Sequence, residues 1–350
     1  MSKPNFGGLD WIKFIVALMV VANHTGPFLS YSATADFVLS NLLTRIAVPV
    51  FFMTAGYLFY RKLTGDPAKD RKTLYGYMRR TGKLYLIAIV LYIPLNVYKG
   101  YFSDSFTVYS LFKDIVFDGT FYHLWYLPAL MLGLLITYVI DRMKSMNAML
   151  AVAGGLYVVG LLGDSYYGIL PSGSGITRVY AGMFTVFDYT RNGFFYAPIF
   201  LALGAWAAKH PSPARSPMAN ATLFACSLGM MVLEGSILHA FDIPRHDSMY
   251  IFALPATYFL FHWAMQWKVR SSKTFREWRV WVYILHPIAI VLVRGGAEAT
   301  HLERLFIANS LLHFAAVCLV SVGMSAVTVW AVENQRKRKH RPSRFVLEQS

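Results

Sequence analysis

A long apolar run near the N-terminus most strongly limits the folds open to this chain. It extends from Gly8 to Leu29 and reads GLDWIKFIVALMVVANHTGPFL, which is long enough to cross a lipid bilayer as a helix. The run nevertheless contains Asp10, Lys13 and His24. Ionisable groups inside a membrane span are costly, and they usually serve a function and face protein or water. We therefore expect this span to carry part of a functional site.

Lys13 and His24 are predicted to share one face of this helix. They are eleven residues apart, which is close to three turns at about 3.6 residues per turn and corresponds to a rise of roughly 16 Å. One stripe of the helix would then hold a cation near one end and a titratable imidazole toward the other. The alternative for His24 is a core histidine that only hydrogen-bonds to a neighbour.

The composition predicts an all-α, polytopic integral membrane bundle. Of the 350 residues, 56 % are hydrophobic and only 15 % are charged, which excludes an ordinary soluble protein of this length. Apolar runs of roughly twenty residues indicate membrane spans, and the sequence predicts about ten transmembrane helices. They cover residues 11–29, 45–60, 84–98, 122–140, 147–163, 194–208, 219–238, 249–267, 280–296 and 305–331.

Membrane topology, rather than nucleic-acid binding, explains the formal net charge of +15. With the N-terminus inside, the segments predicted to lie inside hold 25 of the 33 lysines and arginines, and the outer segments hold 8. Because positively charged loops stay in the cytoplasm, we predict an N-in, C-in, multi-pass protein of the bacterial cytoplasmic membrane. Residues 1–335 would form the transmembrane domain, and residues 336–350 a basic cytoplasmic tail that contacts anionic lipid.

The predicted outer segments are rich in aspartate, aromatic residues and glycine. Examples are FDGTFYHLW at 117–125 and FDIPRHDSMY at 241–250. Mixed polar and aromatic groups at the mouth of a bundle suit a hydroxyl-bearing or zwitterionic ligand. The candidate substrate-binding residues here are His123, Trp125, Tyr126, Asp188, Arg191, Arg245, His246 and Asp247. The alternative is a belt of interfacial aromatic residues with local ion pairs.

Other polar groups within the spans leave two interpretations open. Asn309 and His313 are four residues apart, so we predict that they share a helix face and bind a common group. A structural hydrogen bond between helices is the alternative for this pair. Glu234 is either a buried, paired carboxylate or a base. His286 precedes Pro287, whose ring frees a backbone carbonyl, and it either bonds such a carbonyl or serves the site.

The predicted inner loop, residues 61–83, reads RKLTGDPAKDRKTLYGYMRRTGK and ends in cations. Arg80 and Lys83 are predicted to share a face of the third span at one-turn spacing. Cations in this position suit a polyanion, including the phosphates of coenzyme A. Ordinary anchoring by positive residues on the inner side is the alternative.

Several of these stretches together resemble the membrane-bound acyltransferase family 3. The resemblance covers nearly the whole chain and includes the first-span motif, RIAVPVFFMTAGYLF in the second span and YILHP in the ninth. In that family the first-span motif is Arg, ten residues, His, and the histidine is held to be catalytic. His24 matches this histidine, while Lys13 keeps the charge of the usual arginine and loses its planar fork. The family's Arg, two residues, Arg pair, associated with coenzyme A, corresponds here to Arg80 and Lys83.

The outer segments are similar to the membrane domain of the membrane-bound serine racemases of vancomycin-resistance clusters. The similar stretches are DIVFDGTFYHLWYLPA, GDSYYGI, DYTRNGFFYAPIF, FDIPRHDSMY and ANSLLHF. That domain belongs to the same acyltransferase-like family and has been proposed to take up serine. Such racemases also carry a soluble pyridoxal-phosphate domain, which this sequence lacks, so we expect no racemase activity here.

The resemblance implies an acyltransferase that transfers groups other than aminoacyl groups. An acyl group such as acetyl would pass from cytoplasmic acyl-CoA to a hydroxyl or amine of a small polar or cell-envelope acceptor. His24 would act as general base, and Lys13, Arg80 and Lys83 would hold the acyl-CoA. The alternative is uptake or binding of serine or another small amino acid. Acyl-CoA and membrane lipid are the expected partners, and we expect no tightly bound cofactor, no metal and no nucleic acid.

Overall fold

The structure is a computed structural model that describes residues 6–103, 106–143, 145–210 and 214–339. Within these residues the regular structure is entirely helical, as the sequence predicts. The helices of twelve or more residues are α1 Gly7–Thr25, α2 Ala47–Tyr60, α3 Pro67–Tyr98, α4 Tyr126–Met143, α5 Met146–Leu162, α6 Gly175–Val186, α7 Ala197–Lys209, α8 Pro217–Ala240, α9 Ala253–Met265, α10 Lys273–Ala299 and α11 Ser310–Lys339. Shorter helical pieces are Ala33–Asp36, Phe37–Leu42, Leu43–Ile46, Val108–Lys113, Asp114–Asp118, Tyr167–Ile169 and Glu303–Phe306.

Seven stretches of the described chain are long and apolar enough to cross a membrane. They are Gly7–Thr25, Ala33–Tyr60, Pro67–Tyr98, Tyr126–Met143, Pro217–Ala240, Lys273–Ala299 and Ser310–Lys337. Two further apolar helices, α5 and α7, are shorter, and α9 has 13 residues. Each predicted run thus coincides with a helix, while the count of ten crossings and the N-in, C-in orientation stay predictions.

The basic stretch before the third span is mostly helix rather than loop, which corrects the sequence prediction. α3 begins at Pro67, where the Asp66 carboxylate accepts hydrogen bonds from the Ala68 and Lys69 amides. An aspartate N-cap followed by proline is a strong helix start. Because a search for apolar runs detects only the hydrophobic part of a helix, it placed the start at residue 84. α6, in a segment predicted as an outer loop, was missed for the same kind of reason.

The chain divides into two compact units. The first comprises Met1–Asp36 and Lys268–Ser350, and the second comprises Phe37–Trp267. The predicted division at residue 335 falls within α11, which continues to Lys339. Residues 340–350 of the predicted tail lie outside the described residues.

In the first unit, α10 packs against both α1 and α11. The buried apolar side chains include Leu9, Val16 and Val21 of α1 and Val282 and Ile284 of α10. α1 ends at Gly26, whose φ of 56° is in the left-handed region that favours glycine. This ending places His24 in the last turn of α1.

In the second unit, α7 is the central helix and packs on α2, α4 and α5. Its contact with α2 depends on two glycines. A Cβ atom at Gly56 would lie 2.4 Å from the carbonyl oxygen of Leu201, and one at Gly204 would lie 2.1 Å from that of Met53. Small residues let helix backbones approach closely in membranes, where packing rather than water exclusion drives association. This pair of helices therefore forms a closely packed support for the polar loops around it.

Candidate functional site

His24 stacks on a second imidazole within the first unit. The ring centroids of His24 and His286 are 5.3 Å apart, and the ring planes differ by 16°. Lys13 lies on the same helix as His24, as predicted. The sequence singled out both histidines but did not connect them, because they lie on α1 and α10.

The next residue, Pro287, determines how His286 is held. Proline has no N–H to bond the carbonyl four residues earlier, and that carbonyl belongs to Tyr283. The Nδ1 atom of His286 lies 2.8 Å from this oxygen. A carbonyl only accepts, so Nδ1 carries the proton and Nε2 keeps its lone pair. The interpretation that His286 bonds the freed carbonyl is therefore confirmed, and a role in the site stays a prediction.

An ion-pair cluster lies at the other end of α1. Asp10 is only 4 % exposed, and its carboxylate accepts a hydrogen bond from Arg279 and lies 3.5 Å from Nη1 of Arg276. Lys13 is within electrostatic range of Asp10 and of both arginines. The sequence analysis missed the two arginines, although their spacing of Arg, two residues, Arg at the start of an apolar span was a visible signal. Lys13 is thus one of three cations around one carboxylate.

Arg80 and Lys83 both lie on α3 and are exposed. They are one turn apart, so they occupy neighbouring positions on the helix surface, as predicted. The Nε of Arg80 donates to the carbonyl of Gly76, 3.1 Å away. Their association with coenzyme A stays a prediction.

His123 is enclosed by aromatic rings in the second unit. It is 2 % exposed, and its ring centroid lies 5.0 Å from that of Tyr92 and 5.8 Å from that of Phe121. Tyr126 packs its ring 4.9 Å from that of Phe52. These contacts are typical of an aromatic core, and substrate binding by His123 and Tyr126 stays a prediction.

Arg191 lies among aromatic rings of the same unit. Its guanidinium carbon lies 4.1 Å from the ring centroid of Tyr189 and 5.5 Å from that of Trp125. Its Nη1 donates to Oγ of Ser248 at 2.9 Å. Burial, followed by the nearby charge of Arg45, lowers the pKa of Arg191. Of the predicted outer residues, Arg191 and Trp125 are therefore brought together.

Asp188 and Arg245 belong to a separate surface network. Asp188 forms an ion pair with Nζ of Lys113 at 2.7 Å. Nη1 of Arg245 donates to the backbone carbonyl of Asp188 at 2.7 Å, and the guanidinium covers the ring of Phe184 at 3.6 Å. These two residues thus follow the alternative of local ion pairs and stacking.

His246 and Asp247 are both half-buried. The ring of His246 lies 4.5 Å from that of Tyr189. Burial, followed by the charges of Arg245, Arg191 and Arg45, lowers the pKa of His246 to about 4. The imidazole is therefore neutral at pH 7. The hydroxyl of Tyr250 donates a long and therefore weak hydrogen bond of 3.5 Å to Oδ1 of Asp247.

Asp164 is a buried carboxylate that the sequence analysis did not single out. It follows α5, is 0 % exposed, and accepts hydrogen bonds through Oδ1 from the amides of Ser248 and Met249 at 2.8 and 3.0 Å. Burial raises its pKa to about 6, although the Arg191 charge opposes the shift. The available signal was an aspartate directly after an apolar helix, within the quoted stretch GDSYYGI.

Asn309 and His313 are one turn apart at the start of α11, where the His313 amide donates to the carbonyl of Asn309 at 2.9 Å, but their side chains bond different groups. Asn309 lies one residue before α11, and its Oδ1 accepts from the Leu312 amide at 3.1 Å and from the Tyr31 hydroxyl at 3.0 Å. It therefore acts as an N-cap. Nδ1 of His313 bonds the carbonyl of Phe306 at 2.7 Å. Substrate binding by these two residues stays a prediction.

Glu234 is a structural acceptor. It takes hydrogen bonds from the hydroxyl of Tyr166 at 2.6 Å and from the amides of Ile251 and Phe252 at 2.6 and 3.0 Å. The carboxylate thus holds the loop before α9 on α8. Among the described residues, no three His, Cys, Asp or Glu side chains are grouped as a metal site would require.

Comparison with known proteins identifies relatives along the whole chain. A family model described as an acyltransferase domain matches residues 6–330. An amino-acid racemase of Enterococcus faecalis is 36 % identical over 343 residues, which are 97 % of this chain and 47 % of that protein. A serine/alanine racemase of Enterococcus gallinarum is 33 % identical over 318 residues, 90 % of this chain and 45 % of that protein.

A second amino-acid racemase of Enterococcus faecalis is 34 % identical over 321 residues, with coverage of 91 % of this chain and 45 % of that protein. The chain thus spans about half the length of the curated relatives it matches. No solved structure matches it. The predicted family resemblance is confirmed: this chain is a multi-pass membrane protein that belongs to the membrane-bound acyltransferase family 3.

Proposed function

We propose that the protein is a membrane acyltransferase that transfers an acetyl or similar acyl group from cytoplasmic acyl-CoA to a hydroxyl or amine acceptor. His24 acts as the general base. Family membership supports the reaction class. The stacked pair of His24 and His286 is the observation that carries the assignment of the base.

The stacked imidazole rings suit proton transfer. Imidazole as a side-chain type has an ordinary pKa of about 6.5, so histidine is a common general base at neutral pH. The carbonyl of Tyr283 holds His286 in the tautomer whose Nε2 accepts a proton or hydrogen bond. His286 is therefore a positioning residue: its own ring is held by the Tyr283 carbonyl, and the ring of His24 stacks on it.

His24 is the only proton carrier that the acyl transfer requires. The acceptor oxygen or nitrogen attacks the thioester carbonyl carbon while the His24 imidazole removes the acceptor proton. The tetrahedral intermediate then collapses, the carbon–sulfur bond breaks, and the coenzyme A thiolate takes the proton from the imidazolium. The base is regenerated, and the products are the acylated acceptor and free coenzyme A.

The donor phosphates would bind to basic side chains near the ends of helices. Arg80 and Lys83 on α3 are exposed cations at one-turn spacing, and in the first unit Lys13 adds its charge to those of Arg276 and Arg279. Charge-assisted bonds from arginine and lysine are the usual contacts of phosphate groups. Neutralising each set by substitution should raise KM for acyl-CoA.

The test is acyl transfer by the purified protein in liposomes with acetyl-CoA and a panel of hydroxyl and amine acceptors. We expect release of free thiol only when an acceptor is present, and its loss in His24→Asn. His24→Asn with wild-type turnover would falsify the catalytic assignment. Thiol release that does not need an acceptor would indicate hydrolysis instead.

Amino-acid binding or uptake is a second candidate function. The observations that favour it are the names of the relatives, amino-acid racemase and serine/alanine racemase, and the charged groups of Asp164 and Arg191 in the second unit. Labelled serine that accumulates in the liposomes without acetyl-CoA would support this function. Liposomes that release thiol but do not accumulate serine would favour the enzyme alone.

A further inference from the structure

Asp164 has two oxygens in different situations. Oδ1 holds two loops together by accepting from the amides of Ser248 and Met249 and from the hydroxyl of Ser165. Oδ2 is buried and has no hydrogen-bond partner in the described part of the chain. A buried carboxylate oxygen without a partner is costly, and joining the loops requires only Oδ1. The second oxygen is therefore available to a ligand.

Arg191 presents a complementary donor beside it. Its Nη1 bonds the hydroxyl of Ser248, whose own backbone amide bonds Asp164. One serine thus joins the two charged side chains. Nε of Arg191 is buried and has no partner among the residues described. An acceptor oxygen brought by a ligand would satisfy this N–H.

The centre presents charges of both signs. Arg45 is in electrostatic range of both Asp164 and Arg191, so guanidinium groups lie near the buried carboxylate. His246 is half-buried beside the arginines and adds no charge at pH 7. A ligand carboxylate would meet Arg191 and a ligand ammonium would meet Asp164, so a ligand that carries both groups suits the centre better than one that carries either alone.

We infer that Asp164 and Arg191 form a binding centre for a small zwitterionic α-amino acid. Oδ2 of Asp164 accepts from its ammonium group, and Nε of Arg191 donates to its carboxylate. The rings of Tyr189 and Trp125 lie close to the guanidinium, so the side chain of the ligand would meet aromatic surface. This inference deepens the second proposed function, amino-acid binding, and it does not depend on acyl transfer.

The acid in this centre is Asp164 and not either of the predicted substrate-binding aspartates, Asp188 and Asp247. Asp188 is half-exposed and already paired with Lys113. A carboxylate in a solvated ion pair gains little from a second cation. Asp164 is desolvated, so a charged partner there gains much more.

The test is calorimetric titration of the purified chain in nanodiscs, without acyl-CoA, against serine, alanine, ethanolamine and lactate. We expect serine and alanine to bind the wild type. Ethanolamine lacks the carboxylate and lactate lacks the ammonium, so each should bind at least tenfold more weakly. Wild-type protein that binds neither amino acid would overturn the inference, as would ethanolamine or lactate binding as tightly as serine.

Asp164→Asn is the sharpest variant, because an amide oxygen at the Oδ1 position keeps the bonds to the loop amides while the charge is removed. We expect at least a tenfold loss of serine affinity. Asp242→Asn is the matched control, since Asp242 is exposed in a neighbouring loop and its φ of 52° suits asparagine. Equal serine affinity in Asp164→Asn and the control contradicts the inference.

Arg191→Met provides an independent arm should Asp164→Asn fail to fold, as judged by gel filtration and circular dichroism. It should lose affinity for serine at least tenfold while leaving the weak binding of ethanolamine unchanged. Retained serine affinity in this variant would overturn the role of Arg191. Because only binding is measured, serine binding without uptake rejects the carrier function and leaves this site standing.

Discussion

Asp10 in the first unit and Asp164 in the second are both buried, and the two aspartates are held in opposite ways. Asp10 of the first unit faces two arginines and lies one turn from Lys13. Asp164 of the second unit accepts backbone bonds through one oxygen and leaves the other without a partner in the described chain. In the first unit the candidate reactive group is the imidazole of His24, and the ion-pair cluster lies at the opposite end of its helix.

The difference indicates that the charge of Asp10 serves structure and that the charge of Asp164 serves binding. A paired buried carboxylate is required by its partners, because removing it leaves an uncompensated cation. A buried carboxylate that lacks a partner costs stability and is retained for another reason, which is often function. The following substitutions test this contrast.

His24→Asn should have the largest effect, a loss of acyl-transfer rate of about 10²–10⁴-fold, because general-base catalysis contributes that much. The measurement is thiol release in liposomes. The matched control is His301→Asn, at an exposed position of the first unit whose φ of 57° suits asparagine. Serine affinity should not change in either variant, since the second unit supplies that centre. An equal rate in both variants would contradict the role of His24.

Asp10→Asn should destabilise the protein by about 3–5 kcal/mol, because it leaves the buried guanidinium of Arg279 without its counter-charge. Unfolding in detergent micelles measures the effect. Glu298→Gln on the exposed face of α10 is the control and should change stability little. A loss below about 1 kcal/mol, the range of exposed pairs, would show that the Asp10 cluster is not structural.

Asp164→Asn should change the free energy of unfolding in the opposite direction to Asp10→Asn. We expect it to stabilise the protein at pH 8 by up to roughly 3 kcal/mol. Burial raises the folded pKa of Asp164 from 3.8 to about 6, so folding favours the protonated form. The stability that this carboxyl contributes is complete below pH 3.8 and is lost as the pH rises through about 6. The gain from the substitution should therefore fall toward zero near pH 4.

Unfolding of wild type and Asp164→Asn across this pH range measures the difference. The other titratable groups in electrostatic range of Asp164 are Arg191, Arg45, Tyr157, Tyr196 and Tyr250. Arginine is charged and tyrosine is neutral throughout pH 5–8, so their titration does not contribute to the difference. If Asp164→Asn is less stable than wild type at pH 8, the carboxylate is structural like Asp10, and the contrast fails.

Asp188→Asn should cause the smallest loss of folding stability, less than about 1 kcal/mol, because the ion pair of Asp188 with Lys113 is solvated. The side chain of Asp188 is 52 % exposed. Lys113→Gln should match it, and the double variant should equal either single variant within error. A loss above about 2 kcal/mol from Asp188→Asn would mean that the surface network supports the loops as strongly as Asp164 does.

Motif and span predictions succeeded where the signal was local. The pattern of apolar runs located helices at all ten places, and the first-span motif led to the correct family. The prediction failed where an end depended on a cap: α3 begins at Pro67 because Asp66 caps it, and Asn309 precedes α11 rather than lying on it. A search for hydrophobic runs does not detect such polar hydrogen bonds.

The sequence by itself determined the helical class, the membrane setting and the family, because the length of apolar runs and the spacing of motifs are properties of neighbouring residues. Only the tertiary structure decided which polar groups meet. His24 faces His286, and Asp164 shares Ser248 with Arg191, although these partners lie far apart in the chain. Their distances depend on how helices pack and how loops close over them, and no periodicity in the sequence encodes that geometry.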